Sequence, residues 1–408
     1  MKCRHCGHAV TLPFIDLGTA PPSNAYLTQT ELSEPEKWYP LRLFACTHCW
    51  LVQTEEHSSR SELFSGDYAY FSSYSTSWLQ HAETYVAEMV DRFALGPNAH
   101  VVEIAANDGY LLQYVKARGI PCLGVEPTAG TAAAARLKGI AVVEQFFGAS
   151  LADRLAREGK AADLMVANNV LAHVPDINDF VSGFARLLKP QGCATFEFPH
   201  LLRLAEHCQF DTIYHEHYSY LSLTAVKTIF EAHGLDVFDV RELDTHGGSL
   251  RVFAQRRGEG ARSATATVAA LLASEEMAGV GTEAFYCGFE PRANAIKYDV
   301  IEFLIDARRR GKKVAAYGAA AKGNTLLNYA GIRSDLLPWV VDRNPAKQGK
   351  FLPGSRIPIV DETRIKKERP DYILILPWNL RAEVVEQLAY AREWGAQFVT
   401  AVPRLHLQ

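Results

Sequence analysis

Two series of short apolar strands separated by helical segments constrain the fold of this chain more than any other feature. The first series begins at His100 and contains the runs HVVEIAA, PCLGVEP, ADLMVANNV and CATFEFP. A second series follows after residue 311, with the runs KKVAAYG, LPWVVD and DYILILPW. Strands that alternate with helices form a parallel sheet, because each connection has to cross over the sheet. The sequence therefore predicts an α/β fold with two parallel, Rossmann-like sheets.

The stretches around these two series predict three parts of the chain. A length of 408 residues is more than one core of ordinary size accommodates. Residues 1–60 have little periodicity and several prolines, which predicts a small loop-rich module. Residues 61–260 contain the first series, preceded by helical spacing from about Tyr74 to Phe93. Residues 261–408 begin with one or two long connecting helices and continue with the second series.

Composition and charge exclude several classes of function. Hydrophobic residues make up 48% of the chain and charged residues 22%, so most of its length is expected to fold around buried cores. The net charge of −4 is spread without a block of like charges, so no nucleic-acid-binding arm is expected. No signal-peptide core and no apolar run of about 18 residues is present, which predicts a cytoplasmic protein without a membrane partner. The oligomeric state stays open, and a monomer is compatible with the sequence.

Two C-x-x-C pairs indicate a metal site in the first module. Cys3 and Cys6 form one pair, and Cys46 and Cys49 form the other. Four thiolates close the coordination of a zinc ion and leave no position for water, so such a zinc is structural rather than catalytic. Four buried free thiols are the alternative, and they require two such pairs by coincidence. The loop between the pairs is not basic, which argues against a nucleic-acid-binding zinc ribbon.

The first strand of the first series ends in a turn of small residues. Ala105 and Gly109 allow the backbone to approach a ligand closely. Glu103, Asn107 and Asp108 supply polar groups around that turn. Doubly wound sheets bind nucleotide cofactors at this position. An ordinary strand-end carboxylate is the structural alternative for Glu103.

Two later strand ends of the same series also carry polar groups. Glu126 and Pro127 follow the second strand, where a carboxylate is placed to accept both ribose hydroxyls of an adenosine. Asn168 and Asn169 end a further strand. Each has a structural alternative, since Glu126 also fits a helix N-terminus and the two asparagines fit a turn. The ordered set of three motifs nevertheless favours a cofactor site.

Together these three motifs resemble those of class I S-adenosylmethionine-dependent methyltransferases. The resemblance implies that S-adenosylmethionine is the cofactor and that the polar and small residues of the three motifs bind it. This sequence has Ala105 where that family usually has glycine. A nicotinamide site is the competing interpretation, but the first turn contains no G-x-G-x-x-G motif.

A dense group of titratable side chains follows the strand that ends at Pro199. The segment FDTIYHEHYSYLS contains two histidines, one glutamate and three tyrosines, among them Tyr214, Glu216 and His217. Burying so many ionisable groups is costly unless they bind each other or a substrate. A metal site is one alternative, although residues two apart share a ligand only on a strand. A structural hydrogen-bond network is the other alternative.

The second series has its own strand–turn–helix segment, KKVAAYGAAAKGNT. Its helix N-terminus is placed to hold a diphosphate, with Lys322 adding positive charge and Asn324 a polar group. Asp342 ends the next strand, as the ribose-binding acid of a nicotinamide site does, and Arg343 follows it with further basic residues. An oxidoreductase is therefore one alternative for this half, although Ala320 replaces the middle glycine. A degenerate Rossmann domain kept for packing is another.

One further motif, HGG at His246, precedes a strand. It predicts a loop that comes close to a ligand, although two adjacent glycines equally fit a plain turn.

All these motifs together resemble the sugar C-methyltransferases, the family that acts on the precursors of tetronitrose and other nucleotide-linked deoxysugars. The resemblance runs over nearly the whole chain and is carried by the four-cysteine module, EIAANDG, LAHVPD, YHEH, HGG and GAAAKGNT. It implies a nucleotide-diphosphate-linked 4-keto sugar as substrate, methylated at C3 through an enolate. It also implies that the C-terminal domain holds the sugar nucleotide and that His246 borders the sugar pocket.

The same resemblance implies roles for individual side chains. His217 is the expected base, and Tyr214 and Glu216 are expected to position or tune it. An imidazole suits the role of a base, because its pKa of about 6.5 lies near neutral pH. His173 is expected to donate a hydrogen bond to the developing enolate oxygen. Tyr68 matches an active-site tyrosine of the family, with a core aromatic as the alternative.

Two other functions stay open from the sequence. An O-methyltransferase for a sugar or small metabolite needs a base for a hydroxyl and causes no exchange of a carbon-bound hydrogen with solvent. A non-catalytic nucleotide-binding protein is the second, suggested by Ala105 in place of glycine. Binding of S-adenosylmethionine separates the second function from both methyltransferases.

Overall fold

The structure, a computed structural model, describes residues 1–57 and 71–408, and the strands of these residues form three sheets. In chain order the strands are β1 (Leu12–Ala20), β2 (Tyr39–Ala45), β3 (Val52–Thr54), β4 (Val101–Ile104), β5 (Cys122–Val125), β6 (Ala141–Val143), β7 (Ala162–Asn168), β8 (Leu188–Pro199), β9 (Ser219–Tyr220), β10 (Leu235–Leu243), β11 (Ser249–Arg256), β12 (Val314–Tyr317), β13 (Val340–Val341), β14 (Ile359–Val360), β15 (Tyr372–Ile375), β16 (Gln397–Thr400) and β17 (His406–Leu407).

Helices cover both faces of the two larger sheets and connect them. In chain order they are α1 (Thr76–Phe93), α2 (Leu112–Ala117), α3 (Ala129–Leu137), α4 (Ala149–Arg157), α5 (Ile177–Leu187), α6 (Leu201–Glu206), α7 (Leu223–Ala232), α8 (Ala266–Met277), α9 (Glu283–Cys287), α10 (Phe289–Arg309), α11 (Ala321–Tyr329), α12 (Thr363–Glu368) and α13 (Arg381–Gln387).

The largest sheet contains seven strands in the order β10-β11-β8-β7-β4-β5-β6. Five neighbouring strands of this sheet run parallel, as the apolar runs predict: β8, β7, β4, β5 and β6. Strands β10 and β11 run antiparallel to each other, and β11 is also antiparallel to β8, which differs from the wholly parallel sheet expected. The reason is local: a short turn at Thr245–Gly247 joins them, and so short a connection reverses the chain direction.

The C-terminal sheet has the order β14-β13-β12-β15-β16-β17. Its first five strands are parallel, which confirms the second Rossmann-like sheet, and β17 adds an antiparallel edge. The connector before it contains three helices, α8, α9 and α10, where one or two were expected. The longest, α10, buries one side through Phe289, Ile296, Val300 and Leu304, at the spacing typical of a helix that packs on a core.

The N-terminal module is more regular than the loop-rich segment expected. Strands β1, β2 and β3 form an antiparallel sheet, and Leu41, Leu43 and Ala45 point to its buried side in strict alternation. The fourth strand of that sheet, β9, comes from far along the chain, with Ser219 paired to Gln53. The module is therefore joined by a sheet to the segment that carries the titratable cluster.

The N-terminal sheet also packs on the C-terminal half of the chain. Phe14 of β1 stacks on Phe289 of α10, with ring centroids 4.4 Å apart. One hydrophobic core includes residues of β1, α10 and β12. The predicted domain limits after residues 60 and 260 stay predictions, and the first of them lies outside the described residues.

Candidate active site

A cavity of about 380 Å³ lies where the carboxyl ends of the central strands meet the C-terminal domain. The last residues of β4, β5, β7 and β8 line it, as do residues at the start of α11. Ligands bind at this edge of doubly wound sheets because the strand-end loops leave a crevice there. Its volume is in the range of small-molecule sites.

The cavity brings together most of the residues that the sequence singled out. The predicted residues that line it are Ala105, Asn107, Glu126, Pro127, Asn168, Asn169, His173, Tyr214, Glu216, His217, His246 and Lys322. The predicted residues that lie outside its lining are Glu103, Asp108, Gly109, Asn324, Asp342 and Arg343. Tyr68 falls outside the residues that the structure describes.

The turn after β4 has the tight shape that the small residues predict. Ala105, Asn107 and Gly109 all have positive φ angles, of 57°, 48° and 76°. Ala105 therefore adopts the conformation for which glycine is the usual choice, so its methyl group does not alter the turn. At Gly109 a Cβ atom would lie 2.4 Å from the Cδ1 atom of Ile140, and the φ of 76° is one that L side chains rarely adopt, so both features favour glycine.

Glu126 holds the first turn against the second. Its Oε2 accepts the N–H of Asn107 at 3.0 Å and its Oε1 accepts the N–H of Thr128 at 2.9 Å. Each carboxylate oxygen keeps a lone pair for a further donor, such as a ribose hydroxyl. The side chain is thus fixed at the cavity wall in the position expected of a ribose-binding acid.

Behind the turn lie acids that have structural contacts. Glu103 is fully buried, close to the side chains of Tyr110 and Asp108. Burial raises the pKa of Glu103 well above its ordinary value, which favours the protonated acid. Asp108 accepts the N–H of Ser73 and forms an ion pair with Lys138 at 3.4 Å. Direct cofactor contact by either acid stays a prediction.

Two imidazoles face each other at the cavity floor. The rings of His173 and His217 are 4.5 Å apart, and the ring of Tyr214 lies 4.0 Å from that of His217. His217 Nδ1 is 3.0 Å from the carbonyl oxygen of Thr212, and His173 Nδ1 is 2.8 Å from that of Glu216. A carbonyl only accepts, so each Nδ1 carries the proton and each Nε2 carries the lone pair.

Burial keeps both rings in this neutral form. It lowers the pKa of His173 to about 4, and it lowers the pKa of His217 well below the ordinary value of 6.5. A neutral imidazole with its lone pair on Nε2 is a general base. The geometry thus fits the role expected of His217. Hydrogen-bond donation by His173, which the sequence suggested, does not fit, because its donor hydrogen already binds a carbonyl.

The loop that carries His173 is fixed at both ends. His173 closes a short 3-10 turn, Leu171–His173, after β7. Asp176 then caps α5 by accepting the N–H of Asp179 at 3.0 Å. The Tyr218 N–H donates to the Ala172 carbonyl at 2.8 Å, so this turn and the YHEH segment hold each other in register.

Glu216 completes this group of titratable residues. Its carboxyl group is buried, and its Oε1 accepts a hydrogen bond from Asn24 Nδ2 at 3.1 Å. Burial raises the pKa of Glu216 above the ordinary value, which favours the protonated acid. A neutral acid in the cavity wall is able to donate a hydrogen bond to an oxygen atom of a ligand.

The wall opposite these residues contains His246. This residue has a φ of 57°, and its ring meets the edge of Trp78 at 5.2 Å. A Cβ atom on Gly247 would lie 2.4 Å from Trp378. The first glycine of the HGG motif is therefore required for the close contact between the C-terminal domain and this loop.

The C-terminal domain presents two lysines to the cavity. Lys322 lies over the ring of Trp378 at 4.5 Å, and Lys347 donates to the Ala319 carbonyl at 2.8 Å. The other predicted substrate residues point elsewhere. Asp342 accepts the N–H groups of Ala319 and Asn344, both at 2.8 Å, and so closes the β12–α11 turn.

Two more predicted substrate residues have partners within the protein. Arg343 is bonded to Gln387 at 3.2 Å, and the buried Asn324 donates to the Ser23 carbonyl at 2.7 Å. Direct substrate contact by Asn324, Asp342 or Arg343 stays a prediction. Within the protein, Asp342 positions the turn and Asn324 positions the N-terminal segment.

The sequence analysis missed several residues that line the cavity. Gln145 and Phe146 follow β6, and the rule that polar or aromatic residues at parallel strand ends face the ligand would have found them. Trp78 opens α1 after the capping Ser75. No local signal marks Asn24, because it reaches the cavity only through the packing of the N-terminal module.

The four cysteines of the C-x-x-C pairs lie together at the end of the N-terminal sheet. Their sulfur atoms are all within 4.8 Å of one another, and Cys3, Cys46 and Cys49 are buried. Four thiolates about 2.3 Å from one metal ion require such spacing. The cluster therefore fits a structural zinc ion. In the part of the chain that the structure describes, no helix is both long and apolar enough to cross a membrane.

Comparison with known proteins agrees with this geometry. A methyltransferase domain matches residues 78–240, a C-methyltransferase C-terminal domain matches residues 244–403, and a zinc binding domain matches residues 3–64. The C-methyltransferase NovU of Streptomyces niveus is 35% identical over 402 residues, which is 98% of this chain and 95% of that protein.

Two other matches cover less of the chain. The ubiquinone biosynthesis O-methyltransferase of Bartonella bacilliformis is 27% identical over 108 residues, 25% of this chain and 42% of that protein. Magnesium protoporphyrin IX methyltransferase of Synechocystis, solved with bound SAM, has a TM-score of 0.34 at 17% identity, over 44% of this chain and 79% of that one.

The seven-stranded sheet, its strand-end cavity and the methyltransferase domain match define an S-adenosylmethionine-dependent methyltransferase of class I. The sequence identity to NovU extends over nearly the full length of both proteins, and it narrows the class from methyltransferases in general to C-methyltransferases. The chain belongs to the C-methyltransferase family.

Proposed function

We propose that this enzyme methylates a ring carbon next to the ketone of a nucleotide-diphosphate-linked 4-keto deoxysugar. The observation that carries the proposal is the pair of imidazoles in the cavity, held with Nδ1–H on backbone carbonyls and Nε2 in the base form. A carbon acid needs a base of this kind, since the ketone acidifies the neighbouring C–H bond. The cofactor pocket and two lysines share the same cavity.

The residues of the chain supply the proton transfer. His217 Nε2 takes the proton from the carbon next to the ketone, and the electron pair of that bond becomes the enolate. S-adenosylmethionine, when bound, supplies the electrophilic methyl group that this carbon accepts. The proton stays on His217 until solvent removes it, and the ketone is restored in the product. Tyr214 packs on the His217 ring and holds its plane.

Glu216 is the residue that we place near the enolate oxygen. Negative charge develops there, and donors already in position stabilise it most. Burial raises the pKa of Glu216, and this favours the protonated form that donates such a bond. The same role does not fall to His173, whose proton is on the nitrogen bound to the Glu216 carbonyl.

Two lysines of the C-terminal domain bind the diphosphate of the substrate. Lys322 and Lys347 lie where α11 begins, and the free N–H groups of that helix start add positive potential. A diphosphate carries the complementary charge. The zinc ion that we assign to Cys3, Cys6, Cys46 and Cys49 is structural, and no step of the reaction involves it.

Methyl transfer in deuterated water tests this function. The enzyme is incubated with S-adenosylmethionine and 4-keto sugars linked to thymidine, uridine, cytidine or guanosine diphosphate. We expect one product to gain a methyl group on the carbon next to the ketone, as located by NMR, and unreacted substrate to take up deuterium. If the cofactor binds but none of the sugars gains a methyl group, or if the methyl group is on oxygen, the proposed reaction is wrong.

The pH profile of kcat/KM gives a second prediction. Only the neutral form of His217 acts as base, and burial lowers the pKa of this ring well below its ordinary value. Activity is therefore present above the lowered pKa and is lost as the pH falls through it. We expect kcat/KM to stay level as the pH falls to about 6.5, the ordinary imidazole pKa, and to fall only in more acidic buffers. An acidic limb centred at or above the ordinary imidazole pKa contradicts this assignment.

A further inference from the structure

The N-terminal module sends a segment into the active site, which we call the strap and define as residues 23–27. The strap is bound to the C-terminal domain at three places. Asn324 Nδ2 donates to the Ser23 carbonyl at 2.7 Å, and Tyr26 Oη donates to the Ala319 carbonyl at 2.6 Å. Leu27 and Phe351 exchange backbone hydrogen bonds at 3.0 and 2.8 Å. These bonds fix its backbone before any ligand arrives.

Asn24 is the residue of the strap that contacts Glu216 in the active site. Its side chain lines the cavity, and its Nδ2 donates to Glu216 Oε1 at 3.1 Å. Unlike Ser23, which is buried, Asn24 is exposed. An exposed amide on a rigid backbone, turned towards a buried acid, is what a ligand-binding residue requires.

The hydrogen-bonding capacity of this amide identifies the chemistry of its ligand. A carboxamide has two donor hydrogens and an acceptor oxygen, and Glu216 uses one of the hydrogens. A second N–H and the Oδ1 atom therefore remain to bind a group that both donates and accepts. A sugar hydroxyl is such a group, and the neighbouring acid at Glu216 supplies a further polar contact to it.

We propose that Asn24 is a substrate-binding residue that hydrogen-bonds a hydroxyl group of the sugar ring. This inference rests on the proposed function, because it takes a sugar as the ligand. It makes the N-terminal module a wall of the active site as well as a zinc-binding unit. Asn24 binds the sugar ring, and the lysines of the C-terminal domain bind the diphosphate.

Steady-state kinetics of Asn24→Ala test the proposal with the sugar nucleotide that the wild-type enzyme methylates. We expect KM for the sugar nucleotide to rise about tenfold, which is the effect of one lost hydrogen bond of about 1.4 kcal/mol. The dissociation constant of S-adenosylmethionine should stay within twofold of the wild-type value. Gln29→Ala is the matched control, since Gln29 is an exposed amide just after the strap and outside the cavity lining; its KM should be unchanged.

Substrate analogues that each lack one ring hydroxyl give a readout that a structural role of Asn24 would not change. For the recognised hydroxyl, its removal should reduce kcat/KM about tenfold in the wild-type enzyme and by less than twofold in Asn24→Ala. If every analogue loses the same factor in both proteins, or if Asn24→Ala has wild-type KM, the assignment is wrong.

Two further outcomes are distinguishable from that failure. If Asn24→Ala does not bind S-adenosylmethionine, Asn24→Gln replaces it, because this change keeps the amide and moves it by one methylene group; a raised KM supports the proposal and a wild-type KM overturns it. If the wild-type enzyme binds the cofactor but methylates none of the sugars, the proposed function fails, and the role of Asn24 falls with it.

Discussion

Replacement of His217 by alanine is expected to abolish most methyl transfer while the protein stays folded. General-base catalysis contributes about 10²- to 10⁴-fold to a rate, so kcat should fall by that factor. The imidazole is held by the Thr212 carbonyl and packs on His173 and Tyr214, without bearing an ion pair among the described residues. Transfer of a labelled methyl group to the sugar nucleotide measures kcat, and cofactor affinity reports on the fold.

His215→Ala is the matched control for this change. His215 belongs to the same YHEH segment and is also buried, but its Nε2 binds the Pro40 carbonyl at 3.2 Å and it does not line the cavity. We expect its kcat to remain within a few-fold of the wild-type value. Deuterium uptake by the substrate should disappear in His217→Ala and persist in His215→Ala. Turnover near the wild-type rate in His217→Ala would remove this histidine from the mechanism.

The strand-end part of the site was predictable because its geometry is local. Parallel strands end at one edge of a sheet, so residues that follow them are neighbours wherever they occur in the chain. Ala105 and Glu126 follow β4 and β5, Asn168 ends β7, and all three line the cavity. Their register is set by the apolar runs, and those runs are visible in the sequence.

The C-terminal part of the site was less predictable. A polar residue at a strand end or helix start is able to point either into the cavity or back into the protein, and its sequence motif is the same in both cases. Asp342 follows β13 as a ribose-binding acid does, yet it accepts the N–H of Ala319 and closes its own turn. Asn324 faces Ser23 rather than the cavity. Which groups a polar residue binds depends on what packs against it, and here the partner is a segment about 300 residues away in sequence.

The tautomers of the histidines show a further limit of sequence reasoning. The family resemblance placed His173 and His217 at one site, and both of them line the cavity. The resemblance did not reveal which nitrogen of each ring carries the proton, because that depends on carbonyl groups of Glu216 and Thr212. The role of His173 changed from donor to neutral neighbour for this reason.

Loss of the zinc ligand Cys46 is the second change for which we expect a large effect. Cys46→Ser should release zinc and destabilise the N-terminal module by about 4 kcal/mol or more, since metal binding to such a site is folding free energy. Cys287→Ser is the control, because Cys287 is exposed and lies outside the cluster. Zinc content by a chelating dye and the thermal transition measure both variants. A zinc-free Cys46→Ser protein with the wild-type transition would contradict a structural zinc site.

Activity should be lost together with that zinc, because the module supports the catalytic residues directly. Arg4 stands between two of the cysteines, and its guanidinium donates to the Thr54 carbonyl at 2.9 Å and to the Pro175 carbonyl at 3.3 Å. Thr54 Oγ1 in turn donates to the His217 carbonyl at 3.3 Å. When the cluster opens, these contacts lose their anchor, and the base is no longer held at its place. We therefore expect kcat of Cys46→Ser to fall at least tenfold, since small displacements of a catalytic group have effects of about 10²-fold, and excess zinc should restore none of it. Cys46→Ser with full kcat would show that the module is independent of the active site.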